Sequence, residues 1–421
     1  MKILYVSQYF PPEMGAPAAR VSELSRHWAG AGHEVTVLTG FPNHPTGIVP
    51  PQYRVKFRHL VSRELIDGVN VVRTWLFPFP NRKAHERMLN YSSFCVSSAS
   101  TGMFLSRPDV IIATSPQLLV GLSGWWLAHY KRVPFVFEVR DLWPESLVAV
   151  GVGNHNSWLH RSLARVAGFL YRSSQHIVVV SPAFKDHLIT QWGVPPDKVS
   201  TVENGVEANL FSPQSADPGL RERLAIEGKF VVSYIGTLGM AHGLESVLEA
   251  ASRLRHASQI VFLLIGDGAE KSRITSLARE RQLNNVRFLD QQPREQIPAH
   301  ICASDACLVT LKKNEIFKTV IPTKMLEFMS CARPVIVGVD GQARKIIEDA
   351  QAGICVEPEN PEQIASAIIQ LSSSIDLREL LGRNGRRYIA QHFSRDKTAG
   401  NYLAVLETVL GRTSKYQAAA A

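Results

Sequence analysis

The strongest constraint on the fold is an ordered alternation of short apolar runs, glycine loops and helical patterns. Residues 2–9 form an apolar run rich in β-branched and aromatic side chains, and it ends in a proline and glycine loop at residues 10–17. Residues 18–29 carry apolar side chains at helical spacing, and residues 33–39 form a second apolar run. This order is typical of a parallel α/β sheet. The beginning of the chain is therefore predicted to be Rossmann-like.

The same order begins again in the second half of the chain. The predicted strand Phe230–Ile235 leads into the loop Gly236–Gly239, and a helix is predicted from about Gly243 to Leu254. The next predicted strand, Ile260–Ile265, ends at the loop Gly266–Gly268. Both halves thus place a glycine loop after their first strand, but neither contains a GxGxxG motif with a following ribose-binding acid, which argues against a nicotinamide dehydrogenase.

The length of 421 residues and the 45% apolar content are sufficient for two large cores. We predict an N-terminal domain over residues 1–208, a C-terminal domain over 209–390 and a terminal helical segment over 391–421 that crosses back to the first domain. The expected fold class is α/β, with two facing, doubly wound domains. Ligands would bind in the cleft between the carboxyl ends of both sheets.

The net charge of +9 lies mainly in the N-terminal half, where residues 1–200 carry 20 Lys and Arg against 12 Asp and Glu. An excess of positive charge in one half of a chain can bind nucleic acid, an anionic membrane surface or a phosphate-bearing substrate. The sequence contains no zinc-finger spacing, aromatic RNA-binding strand or basic repeat, so no nucleic acid partner is expected. Basic residues mixed with aromatic ones at 53–59 and 75–87 favour a membrane surface, with an ordinary solvated surface as the alternative.

Cysteine usage and hydropathy indicate the compartment. The five cysteines are odd in number and form no CxxC pair, and the chain begins directly with a predicted strand. These features predict a reduced, cytoplasmic protein. The longest apolar passage, residues 116–128, is shorter than a bilayer-spanning helix, so any membrane association is expected to be peripheral.

A candidate ligand site lies within residues 321–337. Pro322 and Thr323 indicate a helix start, at which threonine could cap a free amide. Lys324 and Glu327 fall three residues apart, on one helix face. Helix amides, the helix dipole and an ammonium would hold a phosphate, and the carboxylate could accept hydrogen bonds from sugar hydroxyls. The pattern indicates a nucleotide-sugar site, with an amphipathic helix bearing a surface Lys–Glu pair as the alternative.

A second candidate site directly follows the predicted strand Phe135–Val139, where open α/β sheets bind ligands. Arg140 could pair with a phosphate, and Asp141 and Glu145 could act as an acid/base or hydroxyl-binding pair. The alternative is a loop that its own ion pairs stabilise.

Six segments together resemble glycosyltransferase family 4, the retaining group 1 enzymes with the GT-B fold. They are PPEMGAPA at 11–18, VENGVEANLF at 202–211, YIGTLGMAHGLESVLEAA at 234–251, LLIGDGAE at 263–270, PTKMLEFMSCARPVIVG at 322–338 and IIEDAQAGICVEPENPEQIASAI at 346–368. The resemblance implies transfer of a sugar from a nucleotide diphosphate to an acceptor, with retention at the anomeric carbon. It also implies that no metal or other cofactor is required.

The resemblance implies a donor-binding set on both domains. The glycine loops would lie against the diphosphate and the base, Gly15 would bring backbone close to the diphosphate and the acceptor, and Glu327 would bind the ribose hydroxyls. The implied donor-binding residues are Gly15, Gly236, Thr237, Leu238, Gly239, Gly266, Asp267, Gly268, Thr323 and Glu327.

Three positions depart from the family pattern. The first of its paired glutamates would stand eight residues before Glu327, where this chain has Thr319, and the nearest carboxylate is Glu315. In the second-domain glycine loop, Thr237 and His242 occupy the positions at which the family usually has an arginine and a lysine. Arg140 replaces a histidine. Charge on the leaving phosphate is then expected to be met by Lys324, with Arg140 or Lys318. The catalytic candidates are Lys324, Arg140, Asp141 and Glu315.

These departures resemble the WbuB-like transferases of bacterial surface polysaccharides. The expected donor is a UDP-sugar carrying an N-acetylated deoxyhexosamine such as N-acetyl-L-fucosamine (L-FucNAc). The expected acceptor is an undecaprenyl-diphosphate-linked saccharide at the anionic cytoplasmic face of the inner membrane, in O-antigen (lipopolysaccharide) or capsule biosynthesis. One alternative is a UDP-N-acetylhexosamine epimerase of the same fold, which would leave the basic and aromatic segments unexplained. The other alternative is a non-catalytic peripheral scaffold of polysaccharide assembly. The absence of the family's first glutamate and of its usual arginine and lysine leaves this alternative open.

Overall fold

The computed structural model describes residues 1–44, 46–80, 84–149, 157–215 and 217–411. The chain divides into two compact units. The first unit comprises Met1–Glu203 together with Asp396–Ala421, and the second unit is Asn204–Arg395.

The first unit is built on an eight-stranded sheet in the order β3-β4-β2-β1-β5-β6-β7-β8. Its strands are β1 (Lys2–Val6), β2 (Glu34–Gly40), β3 (Val61–Ile66), β4 (Val69–Thr74), β5 (Val110–Thr114), β6 (Phe135–Val139), β7 (His176–Val179) and β8 (Val199–Thr201). Its helices before the second unit are α1 (Ala16–Gly30), α2 (Pro51–Arg58), α3 (Ala84–Met103), α4 (Leu119–Lys131), α5 (Glu145–Ala149), α6 (Trp158–Ser173) and α7 (Pro182–Trp192). All neighbouring strands pair in parallel except β3, which is antiparallel to β4.

The second unit is built on a fully parallel six-stranded sheet in the order β11-β10-β9-β12-β13-β14. Its strands are β9 (Phe230–Ile235), β10 (Ile260–Ile265), β11 (Val286–Leu289), β12 (Ala306–Thr310), β13 (Val335–Gly338) and β14 (Gly353–Cys355). Its helices are α8 (Pro218–Arg223), α9 (Leu244–Arg253), α10 (Lys271–Glu280), α11 (Ile297–Cys302), α12 (Thr323–Ser330), α13 (Gln342–Ala350), α14 (Pro361–Ser373) and α15 (Ile375–His392).

The strand order fixes where each unit can bind a ligand. In the second unit β9 lies between β10 and β12, and in the first unit β1 lies between β2 and β5. The chain reverses its direction of winding at these two strands. Open α/β sheets bind ligands at the carboxyl ends of such strands, which is where the glycine loops at Gly15 and Gly236 begin.

The C-terminal helix is part of the core of the first unit. Helix α15 ends at His392, and α16 (Arg395–Val409) follows it. Trp28 Nε1 donates a hydrogen bond to the carbonyl of Ala399 at 3.1 Å, and the ring of Tyr402 lies 5.2 Å from the Trp28 ring. These contacts bury α16 against α1.

Residues 51–66 form α2 and the edge strand β3, which pairs with β4 in antiparallel orientation. Asp67 and Gly68 both have positive φ, 50° and 79°, and join β3 to β4 in a two-residue hairpin turn. The Asp-Gly pair is the sequence signal for this hairpin. Within the described ranges no helix combines the length and the hydropathy that crossing a bilayer requires.

Candidate functional site

Two glycine loops are bonded side by side at the carboxyl ends of β9 and β10. The amide of Gly236 donates to the carbonyl of Ile265 at 2.9 Å, and the amide of Leu238 donates to Asp267 at the same distance. The carbonyl of Leu238 in turn accepts from the amide of Glu270 at 2.9 Å. The backbone of one loop therefore fixes the other, and the Gly236–Gly239 loop is held rigidly at the end of the central strand.

Glycine is required at two positions for this close approach. Gly266 has a φ of 149°, and a Cβ added to it would lie 2.0 Å from the carbonyl oxygen of Gly236. Gly268 has a φ of 153°, and its Cβ would lie 2.4 Å from the carbonyl oxygen of Leu238. Any side chain at either position would separate the two loops.

The residues between the glycines make contacts that stabilise the two loops. The carbonyl of Thr237 accepts a hydrogen bond from the Tyr234 hydroxyl at 2.7 Å, and Leu238 is fully buried. The carboxylate of Asp267 accepts from the amide of Gly268 at 2.8 Å.

Helix α12 presents an uncapped N-terminus in the same unit. The predicted helix start is confirmed, but the predicted cap by Thr323 is wrong. Pro322 occupies the N-cap position, Thr323 is the first helical residue, and no side chain caps the helix. Proline has no side-chain acceptor, so the first-turn amides are not closed by a side chain.

Lys324 places a buried cation beside the glycine loop. Its ammonium nitrogen lies 3.6 Å from the ring centroid of Tyr234, and a Cβ on Gly236 would lie 3.6 Å from the same nitrogen. This nitrogen is buried and has no hydrogen-bond partner among the described residues. Burial lowers the pKa of Lys324 to about 7, although the carboxylate of Glu327 opposes that shift. A buried ammonium without a hydrogen-bond partner destabilises the folded protein unless an anion binds to it.

His242 stands where the family usually has a lysine, and it is neutral here. Its Nδ1 lies 3.4 Å from the carbonyl oxygen of Thr310, and its ring meets the Tyr234 ring edge to face at 5.8 Å. Burial and the neighbouring Lys324 lower the pKa of His242 to about 3. The positive charge beside this glycine loop is therefore supplied from α12.

The carboxylate of Glu327 lies in a polar pair that the sequence did not reveal. Glu327 is 9% exposed, and its Oε1 accepts a hydrogen bond from Arg294 Nη1 at 3.0 Å. The guanidinium of Arg294 lies 4.9 Å from the ring centroid of Phe211. Arg294 belongs to the loop that follows β11, and this position after a parallel strand is the signal by which it could have been found.

Gly15 and Arg140 are brought together in the first unit. Gly15 has a φ of 126° and precedes the first residue of α1. The guanidinium of Arg140 donates to the first-turn carbonyls of α1, to Ala16 at 3.0 Å and to Pro17 at 3.3 Å. Burial raises the pKa of the neighbouring Asp141 to about 6, while the Arg140 charge opposes the shift.

Two predicted carboxylates have partners of their own. Glu145 Oε1 accepts from Trp192 Nε1 at 3.2 Å and lies 3.4 Å from His187 Nε2. The Glu315 side chain is 88% exposed in a 3₁₀ turn and pairs with Lys318 at 2.6 Å.

Two family models match this chain. A model described as glycosyl transferases group 1 matches residues 218–388, and a model described as glycosyl transferase 4-like domain matches residues 15–205. Together with the two doubly wound units, these matches define an enzyme of the glycosyltransferase class with the GT-B fold. The chain is a glycosyltransferase, similar to the group 1 family over residues 218–388 and to the 4-like family over residues 15–205.

One curated relative is similar to this chain in sequence, and two solved structures share its fold. WcaI of Escherichia coli (strain K12), a glycosyl transferase of colanic acid biosynthesis by name, is 28% identical over 384 residues, which are 88% of this chain and 92% of WcaI. Sucrose-phosphate synthase from Thermosynechococcus elongatus superposes with a TM-score of 0.78 at 20% identity, covering 97% of this chain and 99% of that one. HepE of Anabaena in complex with UDP and glucose superposes with a TM-score of 0.73 at 19% identity, covering 97% of this chain and 100% of HepE. The predicted fold class and enzyme class are confirmed.

Proposed function

We propose that this chain is a retaining glycosyltransferase of bacterial surface polysaccharide biosynthesis that uses a UDP-sugar as donor and a lipid-linked saccharide as acceptor. The relationship to WcaI supports the pathway class, because colanic acid is in the name of that relative. The UDP in the HepE structure, which shares the fold, supports the choice of nucleotide. We propose L-FucNAc as the transferred sugar and undecaprenyl diphosphate as the acceptor lipid, on the strength of the WbuB-like departures in the sequence.

The observation that carries this proposal is the ammonium of Lys324. It is buried, lacks a hydrogen-bond partner among the described residues, and lies beside both the Gly236 loop and the uncapped start of α12. A diphosphate supplies the negative charge that this arrangement lacks. Fixed ammonium and amide donors of this kind recognise phosphate and favour an anion over any neutral ligand.

The same groups provide the chemistry. In the proposed reaction an acceptor hydroxyl attacks the anomeric carbon of the donor from the face that the diphosphate leaves, which retains the configuration. The bond between that carbon and the β-phosphate oxygen breaks, the hydroxyl proton passes to this oxygen, and UDP leaves. Negative charge grows on the β-phosphate as that bond breaks. Lys324, the loop amides and the α12 dipole stabilise this charge more in the transition state than in the ground state. Because these groups already supply positive charge, the proposed reaction needs no metal ion.

Ligand-induced thermal stabilisation tests the nucleotide site. We expect UDP to raise the Tm more than GDP, ADP, TDP or NAD, since a ligand that binds only the folded state stabilises it. Lys324→Met should abolish the UDP shift, and Lys345→Met, which removes a lysine whose side chain is 71% exposed and pairs with Asp349, should leave it unchanged. The absence of a shift with every nucleoside diphosphate would reject the proposal.

Turnover tests the catalytic role separately. With UDP-L-FucNAc and an undecaprenyl-diphosphate-linked saccharide, in the presence of EDTA, we expect Lys324→Ala to lower kcat by about 100-fold or more. A matched loss in Lys345→Ala, which removes an exposed lysine of the same unit, would show a general effect of charge. Unchanged turnover in Lys324→Ala would remove Lys324 from the catalytic site.

A further inference from the structure

Arg294 is fixed in place from two sides. Its guanidinium lies 4.9 Å from the ring centroid of Phe211, and its Nη1 donates to Glu327 Oε1 at 3.0 Å. Phe211 is itself fully buried, and its carbonyl accepts from the Ser330 hydroxyl at 2.6 Å and from Arg386 Nη1 at 3.1 Å. Ser330 is the last residue of α12, the helix that carries Glu327. Arg294 and Glu327 are therefore held against one rigid helix.

Arg294 offsets the cost of burying the negative charge of Glu327. Glu327 is only 9% exposed, so its carboxylate loses most of its hydration, and a hydrogen-bonded positive partner offsets this cost. Arg294 supplies a charge that does not titrate at any pH at which the protein is folded. Its planar fork also restricts the carboxylate to orientations that satisfy the Nη1 bond, which a point charge would not do.

We propose that Arg294 is a positioning residue that holds the Glu327 carboxylate oriented toward the vicinal hydroxyls of ribose, and so makes this site selective for ribonucleotides. This inference rests on the proposed function, and it adds to it the role that the family resemblance implies for Glu327, which is to bind the ribose hydroxyls of the donor. A carboxylate built to accept from two hydroxyls discriminates against a sugar that lacks one, because one of its lone pairs then loses its partner in a buried site.

The test compares UDP with 2′-deoxy-UDP. A hydrogen bond to a charged group contributes about 1.5–3 kcal/mol, so the wild-type enzyme should bind UDP about tenfold or more tightly than the deoxy analogue in isothermal titration. Arg294→Ala should weaken UDP binding and bring the ratio of the two Kd values close to one. Arg294→Lys, which keeps the charge but loses the fork, should give an intermediate ratio. Arg279→Ala, which removes an exposed arginine from the same unit, should leave the ratio at the wild-type value.

The Kd ratio separates positioning from folding, because a structural defect weakens both ligands alike. If Arg294→Ala does not fold, Arg294→Lys supplies the same measurement. In the background of Glu327→Gln, Arg294→Ala should cause no further loss of selectivity, since both residues act through one carboxylate.

The outcomes distinguish this inference from the proposed function. A wild-type protein that binds neither nucleotide would reject the proposed function. A wild-type protein that binds UDP but prefers it less than threefold over 2′-deoxy-UDP, or an Arg294→Ala variant that keeps the full preference, would overturn the positioning role and leave UDP binding intact.

Discussion

Lys324 is expected to couple its own protonation to ligand binding. A group with a pKa of about 7 is half neutral at pH 7, whereas an ordinary lysine is charged. A diphosphate placed beside the ammonium favours its charged form and raises its pKa in the complex. We therefore expect the proposed binding of UDP to be coupled to proton uptake by Lys324.

This coupling predicts a pH dependence with a definite sign. Below about pH 7 Lys324 is already protonated in the free enzyme, so its contribution to UDP affinity is fully present. As the pH rises through 7, each pH unit costs up to about a tenfold loss of affinity, until the higher pKa of the complex is reached. Isothermal titration of UDP from pH 6 to 9 measures this slope, and heats in buffers of different ionisation enthalpy report the proton taken up.

Lys324→Arg is the matched control for the pH profile. Arginine keeps the positive charge but does not deprotonate in this range, so the loss of affinity above pH 7 should disappear. Titration of the UDP phosphate itself is common to both proteins and cancels in the comparison. Parallel profiles for the two proteins would show that Lys324 is not the titrating group.

Glu315 illustrates how exposure changes an expectation at a single residue. The sequence offers it as the nearest substitute for the missing first glutamate, but its side chain is 88% exposed and its carboxylate pairs with Lys318. An exposed ion pair contributes only about 0–1 kcal/mol. We therefore expect Glu315→Gln to change kcat by less than about fivefold in the sugar-transfer assay. A loss of 100-fold or more would instead support the catalytic role predicted from the sequence.

Among the elements, those with strong local signals were predictable. The strands β9 and β10 and the start of α12 follow from apolar runs that end at glycine or proline. The Arg294–Glu327 pair was not predictable, because it joins residues 33 positions apart and depends on where β11 and α12 lie in the sheet. The buried state of Lys324 was likewise missed, since sequence order does not show the Tyr234 ring beneath its ammonium.

The paired glycine loops predict that two glycines in the same site respond differently to alanine. Gly266→Ala places a Cβ 2.0 Å from the Gly236 carbonyl at a φ of 149°, so the loops must separate. Strain of this kind costs of the order of 1–3 kcal/mol before the clash is added. Gly239 has a φ of −114°, and its nearest neighbour would be 3.4 Å away, so Gly239→Ala should fold normally. Thermal unfolding should show a clear drop in Tm only for Gly266→Ala.

The affinity for UDP gives a second comparison of the two glycine variants. Gly266→Ala should also weaken UDP binding, because the amides of the Gly236–Gly239 loop are displaced. Equal unfolding temperatures for Gly266→Ala and Gly239→Ala would contradict the packing of the two loops against each other.

At the scale of the whole molecule, the repeated order of strand, glycine loop and helix was enough to predict two doubly wound units. The edge of the first sheet was less predictable, because an edge strand such as β3 lacks the continuous apolar run that marks a buried strand. Packing of α16 against Trp28 is also a long-range property, since Ala399 is 371 residues away in the chain. Local patterns therefore predict the centre of each sheet better than its margins.

The uneven charge of the molecule predicts where an anionic membrane would bind. The proposed lipid-linked acceptor requires contact with a membrane, and the excess positive charge lies in residues 1–200. Helix α2 combines exposed Arg54 and Arg58 with Val55, which is 68% exposed. The predicted second basic segment includes residues 81–83, which lie outside the described residues. We expect the protein to sediment with phosphatidylglycerol-containing vesicles at 0.05 M salt and to be released at 1 M, where the Debye length falls to about 3 Å.

The double variant Arg54→Glu, Arg58→Glu tests whether α2 provides this contact. Each basic residue near an anionic surface contributes about 1 kcal/mol, so reversing two charges should lower vesicle binding by about 30-fold or more at low salt. Arg253→Glu, Arg255→Glu changes the net charge by the same amount at exposed positions of the second unit, and it should reduce binding far less. Equal losses in both variants would mean that binding follows total charge instead of a surface on α2. Failure of the unmodified protein to bind at low salt would reject the peripheral membrane role, while leaving the nucleotide site untouched, because Lys324 and the glycine loops require no lipid.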